Sequence, residues 1–171
     1  MGYGKNYMQI SLLDARHTTV DRTWLTNVYP LYLHDLSEFD DGYYHLNEQG
    51  LWEPDHLPSW LDEEDDWPLL IVVDGQRIGF ALVNQAPSPY MTPGMDYRMS
   101  EFFILRSWRR SGVGQRAVHM VFDRFRGQWE LSVLPRNLSA LGFWRRIVGE
   151  YTNEHYTEQF VNSAVRQYFR T

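Results

Sequence analysis

The stretch that decides the fold is Glu101-Phe-Phe-Ile-Leu-Arg-Ser-Trp-Arg-Arg-Ser-Gly-Val-Gly-Gln-Arg-Ala117. Alternating residues from Tyr97 to Leu105 predict a strand, and a basic, glycine-containing turn from Arg109 to Gly114 follows it. The apolar residues after the turn recur at helical spacing: Val113, Ala117, Val121 and Phe125. This part of the chain therefore runs from a strand through a turn into a helix.

The turn has the properties of an anion site. Backbone N–H groups at the start of a helix lack internal partners, and the helix dipole there favours negative charge. Gly112 and Gly114 allow a ligand close to the backbone, and Arg109 and Arg110 add positive charge. The spacing matches neither the P-loop nor the dinucleotide-binding fingerprint. We predict a phosphate or pyrophosphate site, and the alternative is a glycine-containing turn with a solvated basic face.

The sequence before this stretch predicts a strand, a helix and an irregular segment. Residues from Tyr7 to Leu13 have strand composition, and Thr18 or Thr19 is placed to cap a helix that reaches Tyr32. Pro30 lies inside that helix and is predicted to kink or divide it. The acidic, aromatic segment that follows is predicted to form short helices and loops.

The rest of the chain predicts a sheet with helices on its faces. Two apolar runs, Leu69–Val73 and Arg77–Val83, flank an Asp-Gly turn, which is a strong β-hairpin signal. The remaining predicted elements are a strand from Trp129 to Leu134, a helix from Leu138 to Val148, and one or two strands between Tyr156 and Phe169. The order indicates an α/β or α+β fold. We expect a single domain over residues 1–171, because neither side of a boundary near Trp67 would hold a core alone.

Two motifs in this order resemble a known family. Arg109-x-x-Gly112-x-Gly114, between a strand and a helix, resembles motif A of the GNAT superfamily of N-acetyltransferases. Asn137-Leu-Ser-Ala-Leu-Gly-Phe-Trp144 resembles the family's second motif, Asn-x-x-Ala-x-x-Phe-Tyr. The resemblance implies a mixed, mostly antiparallel sheet, flanked by helices, with a V-shaped splay between the strand ending near Leu105 and the strand starting near Trp129.

The resemblance also implies a co-substrate and a reaction. Acetyl-CoA would lie in the splay, and a substrate amine would attack its thioester directly, which agrees with the absence of cysteine. The implied contacts are Phe102, Phe103 and Ile104 through their main chain to the pantetheine; Arg109, Arg110, Ser111, Gly112, Val113, Gly114 and Gln115 through backbone N–H groups to the pyrophosphate; and Asn137 to the CoA arm. A main-chain N–H near Phe103 or Ile104 would serve the oxyanion.

Glu101 is the candidate general base. On simple alternation it shares a face with Met99 and Phe103, and a carboxyl on such an apolar face has a raised pKa. It would act directly or through water. The alternatives are a strand-end carboxylate whose charge reaches water, or one paired with Arg98 or Arg106.

The general acid is where the sequence departs from the family. The usual tyrosine falls at Trp144, whose indole does not donate a proton at neutral pH. Three explanations stay open: another tyrosine, of which Tyr151 is nearest in sequence, or water, or a thiolate that leaves unassisted. A fourth is that the domain binds CoA or another protein without turnover, with Trp144 serving as core packing.

The charge is divided unevenly along the chain. Residues 35–66 hold twelve acids and no lysine or arginine, whereas ten arginines lie between Arg98 and Arg146. The acidic segment also contains Tyr43, Tyr44, Trp52 and Trp60. Acidic groups and aromatic faces attract cations, so we expect a cationic amine acceptor: a polyamine, an aminosugar or a basic peptide. The run from Asp62 to Asp66 is better explained as a solvated loop.

Composition excludes several other classes. The 171 residues include no cysteine, which excludes disulfides and thiolate ligands, and the histidines lack metal-ligand spacing, so we expect no metal. There is no long apolar run or signal sequence, which predicts a cytoplasmic protein without a membrane partner. A pI near 5.4 and the absence of aromatics along a basic stripe argue against nucleic acid. The closing strands leave a homodimer possible.

Overall fold

The computed structural model describes residues 8–171 as one seven-stranded sheet with helices on both faces. The elements are β1 Ile10–Asp14, α1 Thr19–Leu36, β2 His45–Leu46, β3 Trp52–Glu53, α2 Leu57–Asp62, β4 Trp67–Val73, β5 Gln76–Gln85, β6 Tyr97–Ile104, α3 Val113–Arg124, β7 Gln128–Val133, α4 Leu138–Thr152, β8 Tyr156–Val161 and β9 Ala164–Arg170. The strand order is β1-β4-β5-β6-β7-β9-β8, and β6 with β7 is the parallel pair. β2 and β3 form a separate small hairpin. Among residues 8–171, no helix is long and apolar enough to cross a membrane.

The predicted first strand and first helix are present, with one difference. β1 begins at Ile10, and Tyr7 lies outside the described residues. Thr18 caps α1, because its Oγ1 accepts the Asp21 N–H at 3.0 Å. The prediction that Pro30 divides the helix is wrong, since α1 continues through it to Leu36. Pro30 lies on the exposed side of the helix, while the opposite side is buried against the sheet and stabilises the intact helix.

The predicted β-hairpin is formed by β4 and β5. Asp74 and Gly75 make its two-residue turn with φ values of 48° and 82°. Positive φ at both positions matches the right-handed twist of the strands, which explains why Asp-Gly favours this connection. The two strands, with β6, form the buried centre of the sheet.

The two faces of the sheet carry separate cores. One face, here the α1 face, is covered by α1 and α2, and Leu70, Phe80, Leu82 and Phe103 of the sheet are buried beneath them. The opposite face, here the α3 face, is covered by α3 and α4. Its buried sheet residues include Leu69, Val83, Met99, Trp129 and Leu131.

A β-bulge in β6 changes which residues share a face. Leu82 pairs with Glu101 and Val83 pairs with Met99, so Ser100 is an extra residue without a partner on β5. Met99 therefore belongs to the α3 face, while Glu101 points to the α1 face with Phe103. The expectation that Glu101 shares a face with Met99 is wrong, because simple alternation does not hold across a bulge.

The predicted splay lies between β6 and β7. These strands pair only where Tyr97–Met99 lie beside Trp129–Leu131. Beyond this short ladder β6 continues to Ile104 and β7 to Val133 without pairing to each other. The sheet is thus open at its centre, and the mixed, mostly antiparallel topology with a V-shaped splay is confirmed.

Candidate active site

A cavity of about 410 Å³ occupies the splay and connects the two faces of the sheet. On the α3 face its lining includes Phe102, Asn137 and Trp144. On the α1 face its lining includes Glu101 and Tyr44. The gap between β6 and β7 therefore brings an open groove and an ionisable side chain into one space.

The main chain of β6 is free to bind a ligand along the splay. Leu105 N–H donates to Ile78 O on β5 at 2.8 Å. Backbone groups alternate in direction along an antiparallel strand, so those of Phe103 also face β5, and those of Phe102 and Ile104 face the splay. Ile104 O accepts a bond from Arg109 Nε at 2.8 Å. The N–H of Phe102 or Ile104, rather than that of Phe103, is therefore directed toward a molecule in the gap.

The N-terminus of α3 is open to an anion. Its N-cap is Gly112, at φ 81°, and no side chain among residues 8–171 caps this helix. Arg116 N–H donates to Gly112 O, so the amides of residues 113–115 precede the first helical hydrogen bond. α4 differs, because its N-cap Asn137 accepts the Ala140 N–H through Oδ1 at 3.0 Å.

The two arginines of the predicted pyrophosphate turn have different surroundings. Arg109 donates through Nη2 to Asp35 at 2.7 Å, and its guanidinium lies over the Phe103 ring. It thereby connects the end of β6 to α1. Arg110 is exposed and has a left-handed φ of 63°. The Arg110 side chain is accordingly the better placed of the two for an added ligand.

Other predicted cofactor residues also make local contacts. Ser111 Oγ donates to Trp108 O at 2.6 Å, and Gln115 Nε2 donates to Glu150 at 2.5 Å. Asn137 lines the cavity but uses Oδ1 to cap α4, which leaves its amide N–H₂ group for a ligand. The roles of these residues in CoA binding stay predictions.

The two aromatic candidates on α4 have distinct positions. Trp144 is buried, and its ring meets the Phe102 ring edge to face. It belongs to the core of the α3 face and also lines the cavity. Tyr151, which is the only tyrosine in α4, donates its hydroxyl to Asp123 of α3 at 2.7 Å. Tyr151 is therefore engaged between two helices rather than in the splay.

Glu101 is the most perturbed acid in the site. Its Oε1 accepts the Tyr29 hydroxyl at 3.0 Å, and its Oε2 is buried without a hydrogen-bond partner in the described part of the chain. Burial raises the pKa of Glu101 to about 8, although the bond from Tyr29 opposes that rise. The alternative pairing with Arg98 or Arg106 does not form, since Arg106 binds Asp35 and Arg98 donates to Tyr90 O. Tyr29 was not predicted as a site residue. The signal that could have identified it is its position on the buried side of α1.

Most of the acidic segment is used inside the fold. Asp35 accepts from two arginines, Asp62 pairs with Arg22, and Asp66 accepts from Asn84 at 2.8 Å. All twelve acids lie within the described residues, and Asp40 is the one that lines the cavity. Its carboxylate accepts the backbone N–H groups of Gly42 and Tyr44, which positions the tyrosines of this segment beside Glu101.

Comparison with known proteins agrees with this architecture. The pattern of the Acetyltransferase (GNAT) family matches residues 25–149, which is most of the chain. The chain belongs to the GNAT acetyltransferase family. The matched region of this GNAT protein includes the splay, Glu101 and both motifs. No curated protein is found to match the sequence.

Solved GNAT structures share the fold at low sequence identity. A GNAT-family acetyltransferase from Streptococcus agalactiae has a TM-score of 0.64 at 10% identity, with 95% of each chain covered. A Bacillus subtilis acetyltransferase in complex with CoA has a TM-score of 0.58 at 12% identity, covering 96% of this chain and 99% of that one. The aminoglycoside acetyltransferase meta-AAC0020 from an uncultured soil metagenomic sample has 0.54 at 13%, covering 84% and 88%.

Proposed function

We propose that this GNAT protein transfers an acetyl group from acetyl-CoA to a primary amine of a small acceptor. The observation that carries the proposal is that the Glu101 carboxyl opens into the same cavity as the splay between β6 and β7. A base with a pKa of about 8 is matched to removing a proton from an ammonium group near neutral pH. Membership of the family supports acetyl transfer, and the raised pKa of Glu101 in the cavity supports an amine as the acceptor.

The residues of the splay fit acetyl-CoA. The uncapped amides at residues 113–115 suit a pyrophosphate, as does the exposed positive charge of Arg110. The main-chain groups of Phe102 and the N–H of Ile104, which face the splay, suit the amide groups of a pantetheine arm, with Asn137 on the opposite wall. When bound, acetyl-CoA supplies the activated thioester.

The chain's own groups then account for the remaining requirements of the transfer. Glu101 accepts the proton of the ammonium, directly or through water, so that the nitrogen lone pair is free to attack the thioester carbon. The N–H of Phe102 or Ile104 stabilises the negative charge that forms on the carbonyl oxygen. A C–N bond forms and the C–S bond breaks. The nitrogen's second proton leaves as the amide forms and, because Trp144 occupies the usual tyrosine position, we assign its transfer to the departing thiolate to water.

The acceptor's ammonium is expected on the α1 face. Asp40 and Glu101 provide carboxyl groups there, and the rings of Tyr43 and Tyr44 provide apolar and π surface beside them. With one acid of the acidic segment in the cavity, the site suits a single ammonium better than a polyamine, an aminosugar with several amino groups or a strongly basic peptide. Those acceptors remain the comparison set for the experiment.

Calorimetric titration with acetyl-CoA, followed by a thiol-release assay over a panel of amines, tests the proposal. We expect micromolar binding that weakens with 3′-dephospho-CoA and with desulfo-CoA, and turnover with at least one amine. Binding without transfer to any amine would instead favour a CoA-binding module, the function that Trp144 at the tyrosine position suggests. Absence of binding would refute both.

A further inference from the structure

Arg98 places a positive charge in the acceptor part of the cavity. It lies three residues before Glu101 on β6, and both residues line the cavity. Arg98 faces the α1 side of the sheet, since its neighbours Tyr97 and Met99 pack on the opposite side. One strand therefore presents a base and a guanidinium to the same space, on the order of 10 Å apart along the backbone.

The charge of Arg98 is incompletely compensated inside the protein. Its nearest acid is Glu130 of β7, which is fully buried, with 3.6 Å between Arg98 Nη1 and Glu130 Oε1. Arg166 of β9 approaches the same carboxylate at 3.8 Å. Both distances exceed the roughly 2.7–2.9 Å of a charge-assisted hydrogen bond. Two arginines thus share one carboxylate, and one positive charge is left over.

Other arginines with buried partners are paired much more closely. Arg77 lies 2.6 Å from Asp21, and Arg16 lies 2.7 Å from Asp14. Arg98 instead donates to the backbone oxygen of Tyr90, and its Nε is buried without a partner within residues 8–171. Burial lowers the pKa of Arg98, and Glu130 opposes that shift. A guanidinium in this state gains from a planar oxyanion that supplies the missing acceptors.

We propose that the acceptor is an amino-carboxylate, whose carboxylate binds Arg98 while its amine lies at Glu101. This inference rests on the proposed acetyl transfer and specifies its substrate class. It differs from the polycationic acceptors that the acidic segment suggested, because the second charged group of the acceptor is negative.

The test compares amines that differ only in the carboxylate. Glycine, β-alanine and 4-aminobutyrate are each assayed beside the corresponding amide, with putrescine and spermidine as cations that lack an anion. We expect the best amino acid to exceed its amide by roughly ten- to hundredfold in kcat/KM, mainly through KM, which is the range for a hydrogen-bonded charge. Equal values, or a preference for the polyamines, would overturn the proposal.

Two variants assign the effect to Arg98. R98Q should remove the preference for the carboxylate, and Glu130 keeps Arg166 as a cationic partner in this variant. R98K keeps a positive charge at this position and should retain part of the preference. R166Q is the matched control, because Arg166 contacts the same Glu130 but lies outside the residues that line the cavity. A preference that survives in R98Q, or is lost equally in R166Q, would contradict a role for Arg98.

The same assay separates this inference from the proposed function. Acetylation of amines without regard to a carboxylate would overturn the inference and leave the transfer intact. CoA binding with no amine acetylated would overturn the transfer itself.

Discussion

The two sides of the splay are built from different chemical groups. On the side proposed for the cofactor, the groups that face the splay are backbone amides at the start of α3 and along β6. Side chains there position the backbone, as Asn137 does by capping α4. On the acceptor side the groups that face the splay are ionisable side chains, chiefly Glu101 and Arg98, held by partial burial in one cavity. Backbone amides keep the same charge at every working pH. The ionisable groups are therefore the part of the site that sets pH dependence and selectivity.

This difference predicts that substitutions on the two sides affect different kinetic constants. Changes on the cofactor side should alter CoA affinity and spare the chemistry. Changes on the acceptor side should alter turnover or acceptor KM and spare CoA affinity. The substitutions below test that separation.

The largest effect is expected for Glu101→Gln on the acceptor side. Removing the base should lower kcat by roughly 10²–10⁴-fold while calorimetric CoA affinity is retained. In the wild type, kcat/KM should rise with pH and level off above about 8, because Glu101 must be deprotonated to accept a proton. Tyr29→Phe should move the rising part of this pH profile to higher pH, since the hydrogen bond from the Tyr29 hydroxyl lowers the Glu101 pKa.

Thermal unfolding gives an independent measure of the same titration. A carboxyl whose pKa is raised in the folded state favours folding at pH values below its ordinary 4.5, and that contribution is lost as pH rises toward about 8. Glu101→Gln should remove this part of the pH dependence. An unchanged stability profile, or an unchanged pH–rate limb, would show that Glu101 does not titrate as described.

An intermediate effect is expected at the α3 N-cap. A Cβ at Gly112 meets open space, although its φ of 81° strains any side chain, so Gly112→Asp and Gly112→Asn carry the same backbone cost. Their difference is one negative charge beside the proposed pyrophosphate. We expect calorimetry to show CoA affinity roughly tenfold or more weaker in the aspartate variant than in the asparagine variant. Equal affinities would indicate that no anion binds at this helix end.

The smallest effect distinguishes the two arginines of the turn. Arg110→Ala should weaken CoA binding severalfold and leave the melting temperature unchanged, because Arg110 is exposed. Arg109→Ala should lower stability by about 1 kcal/mol or less, since it removes a partly exposed pair with Asp35. Calorimetry and thermal unfolding of both variants check this, and the reverse pattern would refute the assignment.

The cofactor side was predictable because its signals are local. Strand, turn and helix lie within Glu101–Ala117, and the Asp74-Gly75 turn likewise specifies its own hairpin. Two expectations in this half were wrong. The neighbours of Glu101 differ because a β-bulge leaves no mark in a pattern of alternating residues, and the main chain of Phe103 faces β5 rather than the splay. The engagement of Arg109 with Asp35 was also missed, since that contact joins residues 74 positions apart.

The acceptor side was harder to predict because it is assembled from distant segments. Tyr29 meets Glu101 across 72 positions, and nothing near either residue indicates the other. The number of acids in the segment from 35 to 66 was also a poor guide to the acceptor, because most of them bind arginines, backbone amides or Asn84 within the fold. Net charge along a sequence does not distinguish acids that hold the fold together from acids that meet a ligand.

The extra residue at Ser100 lets β6 take up one more residue without moving its ionisable side chain to the other face. With Ser100 unpaired on β5, an interval of two residues separates Met99 from Glu101 and yet carries them to opposite faces. A strand one residue shorter here would pair regularly with β5, and Met99 and Glu101, then adjacent, would still lie on opposite faces by simple alternation. In a lineage, gain or loss of a single codon at this point would therefore leave the proposed base on the α1 face, so the length of β6 is free to vary here.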